Sequence, residues 1–246
     1  MKKSILTIAA VVICAASLKA QEKTYKPEGG MSSLEVTFDP TAIFNANSYG
    51  SMFGLNSIGG LNQGIKYRNW MSENMAARGT FLFGLVNQSF AKTDFDSQGN
   101  EVDLVDNSFE WALQIRPGVE RHFSGTSRLS PYVGSELIIG YGANKLTSER
   151  LDTADAVVSD VVKNDPNEPW RYANGFTIGF GLMAGFDYYV AKDLYLGLEI
   201  NYAVAYNKAN KITREVNGIE PVETKTGSNW YINPSSMANL KLGWNF

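Results

Sequence analysis

His122 and Ser124 have the spacing in this sequence that comes nearest to a nucleophile beside its base. A serine hydroxyl becomes a nucleophile when a histidine within hydrogen-bond reach takes its proton and a third group orients the ring. His122 is the sole histidine, and the pair falls at a short turn. The sequence has no serine hydrolase elbow, zinc signature or paired histidine site. We therefore expect a protein without catalytic residues, metal or cofactor.

The stretch DFDSQGNEVDLV begins like a calcium-binding loop, with Asp94, Asp96 and Gly99 in register. The fifth position is Gln98, and the twelfth, where a bidentate glutamate belongs, is Val105. The match therefore breaks at the positions that set affinity for calcium. We expect a loop tip centred on glycine, with a calcium site as the alternative.

Charged residues of both signs recur on one face of segments that alternate apolar and polar residues. They are Glu35, Asp39, Lys66, Arg68, Arg78, Glu110, Arg116, Glu120, Glu136, Asp187, Glu199 and Lys241. Charges held in a narrow interior must be paired or hydrogen-bonded, because an isolated buried charge is strongly destabilising. The pattern predicts a cross-linked plug in which Arg116 and Glu120 are partners. A proton or ion path is the alternative.

Eight alternating segments carry these charges. They span approximately residues 32–44, 60–70, 74–90, 108–123, 130–144, 174–190, 193–207 and 230–246. The connections between them are alternately long and short, as in an up-and-down barrel with short turns at one end and long loops at the other. We predict an all-β fold, an eight-stranded antiparallel up-and-down transmembrane β-barrel. An even number of strands places both chain ends on the same side.

The sixth segment indicates which face lies inside. Its bulky face comprises Phe176, Ile178, Phe180, Leu182, Ala184, Phe186 and Tyr188, and its other face is mostly glycine, with Thr177, Met183 and Asp187. The interior of an eight-stranded barrel is just wide enough for side chains, so the bulky face must point outward. A soluble barrel of lipocalin type would bury that face. An outward apolar surface of this size requires lipid.

The first residues have the order of a secretory signal peptide. Lys2 and Lys3 precede a run of about 14 apolar residues, and we expect cleavage after Ala20. An uncleaved anchor and lipidation at the sole cysteine, Cys14, are the alternatives. Cleavage would leave 19 of the 22 basic residues against 25 acidic ones, without a basic cluster. We therefore do not expect nucleic acid as a partner. Residues 21–31 would be a short periplasmic segment, and residues 32–246 the barrel with long extracellular loops.

The final segment alternates strictly and places four apolar residues on one face: Leu240, Leu242, Trp244 and Phe246. We expect this strand to close the barrel against the first strand, with Phe246 at the periplasmic interface. The whole pattern resembles the small outer-membrane β-barrel proteins of Gram-negative bacteria, of the OmpX-like and OmpA-barrel-like class. This resemblance implies that the four apolar residues belong to the signal read by the barrel-assembly machinery. It covers residues 21–246 by pattern and implies no catalytic motif.

The His-x-Ser spacing resembles that of the barrel-type lipid A deacylases, whose site faces the outer leaflet, whereas His122 falls on the periplasmic side. Two aromatic girdles are expected. The periplasmic girdle would contain Phe123, Tyr132, Tyr188, Tyr189, Tyr195, Trp244 and Phe246, and the extracellular girdle Phe90, Phe109, Trp111, Tyr141, Tyr172, Tyr206 and Trp230. A short helix over the barrel mouth could form at Ala154, Val157, Val158, Val161 and Val162, or a mobile loop.

The function predicted from these features is that of an integral outer-membrane barrel acting through extracellular loops in surface interaction, adhesion or envelope integrity. Two other classes remain open, a narrow channel or transport and secretion accessory, and a lipid A-modifying enzyme. Expected partners are outer-membrane lipid, lipopolysaccharide, the assembly machinery and an extracellular ligand or protein.

Overall fold

The computed structural model describes residues 25–38, 64–164, 174–216, 219–234 and 239–246. These residues form twelve β-strands: β1 (Ser32–Phe38), β2 (Gly64–Ser72), β3 (Met75–Phe95), β4 (Glu101–His122), β5 (Leu129–Leu151), β6 (Val157–Lys163), β7 (Gly175–Ala191), β8 (Leu194–Lys208), β9 (Ile212–Val216), β10 (Val222–Thr224), β11 (Ser228–Pro234) and β12 (Asn239–Asn245). Within those residues, no helix is long and apolar enough to cross a membrane.

Eight strand positions close into a barrel in the order β1, β2, β3, β4, β5, β7, β8 and β12. Every neighbouring pair is antiparallel, and β12 returns to pair with β1, with Val36 opposite Leu242. Ser32 and Phe246 exchange two backbone hydrogen bonds, of 2.8 and 2.9 Å. The predicted eight-stranded up-and-down fold is therefore confirmed, including closure by the last strand. The predicted final segment contains two described strands, β11 and β12, which both pair with β8.

The two faces of the barrel wall differ as the alternation predicts. On β7, Phe176, Ile178, Phe180 and Leu182 point outward with 44–52% of their surface exposed, whereas Thr177 and Asp187 point inward and are buried. Successive strand residues point to opposite faces, so one register fixes the orientation of the whole strand. The apolar face is therefore on the outside.

Three strands extend far beyond the band of outward-facing apolar residues that surrounds the barrel, which we call the apolar band. β3, β4 and β5 contain 21, 22 and 23 residues, whereas about 9–11 residues suffice to cross a bilayer. Beyond the band, the three strands continue as a second β-sheet region formed by residues 87–95, 101–107 and 145–151. β6, β9 and β10 add to the edge of this region, because β6 pairs with β5, β9 with β6 and β10 with β9. We call this region the outer sheet. At roughly 3.3 Å per residue, β3 projects some 25 Å beyond the band.

One segment of the outer sheet is a strand where the sequence suggested a short helix or a mobile loop. Val157, Val158, Val161 and Val162 do not form a helix, because they lie in β6, which pairs with the end of β5. The two faces of β6 differ in exposure, as expected for a strand, since Val158 is buried and its neighbour Val157 is half exposed. β-branched residues also favour strands. The hairpin turns at 152–156, where Asp155 adopts a φ of 58°.

A charge placed on the outward face of the band tests the orientation of the wall. Leu137→Arg, at a position 52% exposed on β5, should lower the free energy of unfolding in lipid vesicles by about 2–4 kcal/mol. Val222→Arg, on β10 of the outer sheet and 65% exposed, is the matched control and should leave stability unchanged. The measurement is denaturant unfolding followed by tryptophan fluorescence. Equal effects of the two substitutions would contradict the assignment of the outer surface to lipid.

Candidate functional site: a charge network that fills the lumen

The eleven charged residues predicted for the lumen and included in the structure all lie inside the barrel. Five are cations and six are carboxylates, and we call them the lumen network. They are Glu35, Lys66, Arg68, Arg78, Glu110, Arg116, Glu120, Glu136, Asp187, Glu199 and Lys241, of which all but Arg116 are buried. The side chain of Arg116 is 13% exposed. Asp39, predicted for the same face, lies outside the described residues.

Arg68 on β2 is the centre of the lumen network. Its Nε lies 2.8 Å from Glu35 Oε1 on β1 and 2.7 Å from Glu120 Oε2 on β4. Its Nη1 donates a 2.7 Å hydrogen bond to Asp187 Oδ2 on β7. The side chain has no exposed surface. One guanidinium therefore lies within ion-pair distance of three carboxylates from strands on different sides of the lumen, with a hydrogen bond to Asp187 and close charge contacts to the other two.

Arg78 and Lys66 extend the lumen network from Glu120 to two further carboxylates, Glu136 and Glu199. Arg78 lies 2.6 Å from Glu120, 3.0 Å from Glu199 and 3.4 Å from Glu136. Lys66 Nζ lies 3.0 Å from Glu199 Oε1. Each of these carboxylates therefore faces at least one cation within ion-pair distance, which offsets the cost of removing it from water.

Lys241 ties the closing strand β12 to the network. Its Nζ lies 2.9 Å from Asp187 and 3.5 Å from Glu35, and it donates a hydrogen bond to the hydroxyl of Tyr132. The contacts of Lys241 join β12 to β1, β5 and β7. The junction between β12 and β1 is thus stabilised by side-chain contacts in the lumen as well as by the backbone hydrogen bonds of the barrel wall.

Arg116 does not pair with Glu120, and that prediction is wrong. Its Nη1 lies 3.5 Å from Glu136 Oε1, and its Nε donates a 2.6 Å hydrogen bond to Gln114 Oε1. Arg116 and Glu120 are four residues apart on one strand, a separation of roughly 13 Å. Partners in a barrel lie across the wall or across the lumen, so the neighbouring strand supplies Glu136.

Three tyrosines predicted for the periplasmic girdle lie inside the barrel instead. Tyr132, Tyr189 and Tyr195 expose 2% of their surface or less. The rings of Tyr132 and Tyr195 also lie over the Arg68 guanidinium, with centroids 5.1 and 5.7 Å from Cζ. Their positions near short turns suggested the interface, but the parity of the alternation places them in the lumen. The cation is therefore surrounded by carboxylates and aromatic faces.

His122 has a different partner from the one its spacing suggested. Its Nδ1 lies 2.9 Å from Ser130 Oγ and its Nε2 3.3 Å from Glu120 Oε2, while Ser124 is exposed in the turn. The ring packs 4.5 Å from that of Trp70, between centroids. Sequence reasoning missed Ser130, although it shares the inward parity of Tyr132 and Glu136. His122 and Ser130 are buried, so the contact orders the lower lumen.

Glycines make room for the large interior side chains. A Cβ atom at Gly243 on β12 would overlap the ring of Tyr195, and one at Gly185 on β7 would lie 2.6 Å from the hydroxyl of Tyr132. Each glycine faces inward beside a tyrosine of the adjacent strand. The glycine-rich inner face is therefore complementary to the aromatic residues.

The segment before β1 crosses the short-turn end of the barrel. Arg128, in the turn before β5, donates a 3.0 Å hydrogen bond to the hydroxyl of Tyr25 and lies 4.2 Å above its ring. Five residues later, Gly30 N donates to Trp70 O on β2. In the closed strand order, β5 lies opposite β1, and Pro27 between the two attachments is buried. Residues 25–30 therefore cover this end of the lumen.

The predicted loop tip at Asp96 is a hairpin turn of the outer sheet. The Asp96 carboxylate accepts hydrogen bonds of 2.8–2.9 Å from Gln98 N, Asn100 N and Asn100 Nδ2. The Asn100 side chain, with these backbone donors, holds the pKa of Asp96 below its usual value. Gly99 has a φ of 84°, a conformation that glycine adopts without strain. In the described part of the chain, no group of three or more His, Cys, Asp or Glu side chains could hold a metal ion.

Removing one member of a buried pair should cost more than removing both. We expect Glu120→Leu to lower the free energy of unfolding by about 3–5 kcal/mol, because Arg68 and Arg78 lose a buried carboxylate. Arg78→Met added to it should cost less than the sum of the two single substitutions. A double-mutant cycle in denaturant measures this coupling. The exposed Lys211–Glu223 pair, with a 2.7 Å contact, is the control and should show almost none. Additive effects at Arg78 and Glu120 would contradict the ion-pair geometry.

The glycine–tyrosine complementarity is tested by adding one methyl group. Gly243→Ala should destabilise the barrel by about 1–3 kcal/mol, because the methyl group overlaps the Tyr195 ring in a filled interior. Gly79→Ala on β3 is the matched control, since a Cβ there meets nothing within 4 Å. The cost at Gly243 should largely disappear in a Tyr195→Ala background. The same cost in both backgrounds would show that Tyr195 is not the obstacle.

Comparison with solved structures finds barrels with low sequence identity. The N-terminal β-barrel domain of Pseudomonas aeruginosa OprF is 12% identical, with a TM-score of 0.35, and the match covers 89% of this chain and 100% of that one. OprG from Pseudomonas aeruginosa is 11% identical, with a TM-score of 0.36 and coverage of 91% and 99%. Acinetobacter baumannii CarO is 12% identical, with a TM-score of 0.35 and coverage of 92% and 99%. A search of curated proteins found no significant match.

A family model matches a large part of the sequence. The match spans residues 100–246, from the start of β4 to Phe246, and its family is described as the putative OmpA-OmpF-like porin family. More than half of the chain is covered, including five of the eight barrel strand positions. This result confirms the class to which the sequence pattern pointed. The protein is an outer-membrane β-barrel and belongs to the putative OmpA-OmpF-like porin family.

Proposed function

We propose that this protein is a non-enzymatic outer-membrane anchor that presents the outer sheet for surface interaction outside the cell. The observation that carries the proposal is the contrast between the two ends of β3, β4 and β5. Inside the barrel their side chains fill the lumen, and outside it the same strands continue into a sheet. A barrel whose interior is occupied can still display a rigid surface, since its strands are anchored in the membrane.

Cross-strand contacts make the outer sheet a defined surface. Asp106 on β4 accepts hydrogen bonds from Lys92 on β3, at 2.8 Å, and from Ser148 on β5, at 2.6 Å. Arg150 on β5 donates to Asp160 on β6 at 2.9 Å. These polar contacts fix the relative positions of four strands beyond the membrane. They support a surface that is ordered before a partner arrives, which lowers the entropic cost of binding.

Apolar side chains are exposed on the outer sheet and in the loop before β10. Phe95, Val157, Ile219 and Val222 each have 51–66% of their surface exposed, and they lie outside the membrane band. Exposed apolar residues near charged ones are typical of protein interaction sites. The chemistry favours a protein partner over a nucleic acid, because the sequence has no basic cluster.

The interior supports a role without ion conduction. Arg68, Glu35 and Asp187 have no exposed side-chain surface, and residues 25–30 cover the periplasmic end. An eight-stranded barrel has just enough interior for its own side chains. The contact of His122 with Ser130 does not favour catalysis, since both residues are buried and Glu120 is already paired with two arginines.

A narrow channel is the second candidate. The family description includes the word porin, and small residues line the upper lumen, among them Gly179, Ala203 and Ala205. Arg78 contacts three carboxylates, so its ion pairs have alternatives within reach. A role as a transport or secretion accessory would use the same barrel with a partner complex.

Export and assembly complete the proposal. Residues 1–20, outside the described residues, would be a cleaved signal peptide. The four apolar residues assigned to the assembly signal face outward on or directly after β12, with 37–60% of their surface exposed. This arrangement supports recognition by the assembly machinery before membrane lipid covers them. The assignment of that signal stays a prediction.

Two measurements on the same protein test the anchor proposal. Planar-bilayer recordings of the purified wild-type protein should show no stable open channel, because the lumen network fills the interior. Cells carrying Val157→Lys and Val222→Lys together should adhere less to surfaces than wild-type cells, at equal outer-membrane protein levels, since the apolar surface is lost. Thr93→Lys with Thr224→Lys is the matched control, because both are exposed polar positions of the same sheet, and it should leave adherence unchanged.

Each measurement has an outcome that contradicts its part of the proposal. Ion-selective conductance in the wild type, lost when Glu136 or Glu199 is neutralised, would favour the channel. Unchanged adherence of the double variant would remove the outer sheet as the interacting surface.

A further inference from the structure

A groove opens on the lipid-facing wall near the periplasmic end of the barrel. It has a volume of about 470 Å³ and crosses four adjacent strands, β3, β4, β5 and β7. Its outward-facing lining includes Met75, Val119, Arg121, Val133, Ser135 and Leu182. This volume lies within the range of about 300–1,000 Å³ that is usual for small-molecule sites.

Small side chains explain why the wall is depressed here. Ala77 on β3, Val119 on β4, Ser135 on β5 and Leu182 on β7 form one row across the wall. Ala77 and Ser135 are small, whereas Val119 and Leu182 stand out with 47% and 52% of their surface exposed. The row therefore alternates low and high positions. A slot between larger apolar side chains suits a flexible hydrocarbon chain.

Arg121 lies at the periplasmic rim of this groove. It is exposed, points outward between Met75 and Val133, and has no ion pair or side-chain hydrogen bond to any residue that the structure describes. Phe123, two residues towards the periplasmic turn, is also exposed. A guanidinium at this depth is expected to extend towards the headgroup region, where it needs an anion.

We propose that the groove binds one anionic phospholipid of the inner leaflet, with its phosphate at Arg121 and an acyl chain between Val119 and Leu182. The guanidinium fits a phosphate through two parallel hydrogen bonds. The apolar slot begins directly beside that cation, as the headgroup and chain of one lipid require. The periplasmic position selects a phospholipid over lipopolysaccharide, and the lipid-facing position selects it over a protein.

This site is independent of the proposed function. The groove and the outer sheet lie at opposite ends of the barrel, and no residue belongs to both. A lipid at this position would bridge the outer surfaces of β4, β5 and β7. It would therefore act on the wall of the barrel rather than on its lumen.

Native mass spectrometry of the purified full barrel in detergent, with added phosphatidylglycerol or phosphatidylethanolamine, tests the site. The wild type should retain one phosphatidylglycerol molecule more strongly than phosphatidylethanolamine, because both carry the phosphate but the ammonium group of the second lipid is repelled by Arg121. Arg121→Gln should weaken phosphatidylglycerol retention about tenfold, because the glutamine amide can replace the two charge-assisted hydrogen bonds with at most one uncharged hydrogen bond. Arg121→Lys should restore part of the retention. Ser135→Trp should fill the slot and reduce retention of both lipids.

Lys192→Gln is the matched control, because Lys192 is an exposed cation in another periplasmic turn, outside the groove. It should leave retention unchanged. Heat-dependent migration on gels identifies any variant that fails to fold. Equal retention by Arg121→Gln and the wild type, an equal loss in Lys192→Gln, or no preference for the anionic lipid would each overturn the proposal.

Discussion

The interior of an eight-stranded barrel is too narrow to hydrate charged groups, so charges in the lumen must be stabilised by one another. The lumen network provides these contacts. Five cations and six carboxylates are placed where water cannot surround them. Their contacts join strands that the backbone ladder does not, as when Arg68 links β1, β4 and β7. Glycines such as Gly243 leave the space that the tyrosines around Arg68 require. The polar interior thus depends on sequence choices on nearly every strand.

The same constraint separates the inside of the barrel from its outer sheet. Within the membrane, outward residues must be apolar and inward residues must be paired. Beyond the band, β3, β4 and β5 are free of both requirements, and their outward faces carry charged and polar residues beside exposed apolar ones. The same three strands therefore form both the barrel wall and the outer sheet. The groove at the opposite end, with Arg121 at its rim, is a departure from the uniform lipid-facing wall.

Much of the fold could be predicted from periodicity because a strand has a period of two, and one bulky face, as on β7, determines the orientation of every residue. The same alternation also predicted that the charged residues of the lumen network point into the barrel. Their pairing did not follow from it, since alternation gives the face of a residue but not its neighbour across the lumen. Arg116 was therefore assigned to Glu120 instead of Glu136, and Ser130 was missed beside His122. The strand β6 was unclear because an apolar valine run fits either a short helix or a strand when its pairing partner is unknown.

Arg68 is held in the lumen among carboxylates, with no side-chain surface exposed to water. Solvent exchange of its side-chain Nε–H, followed by NMR on the lipid-embedded barrel, measures this most directly. We expect strong protection of Arg68 relative to Arg150, whose side chain is 49% exposed in the outer sheet. Exchange of Arg68 as fast as that of Arg150 would mean that water reaches the centre of the lumen, and it would contradict the filled interior.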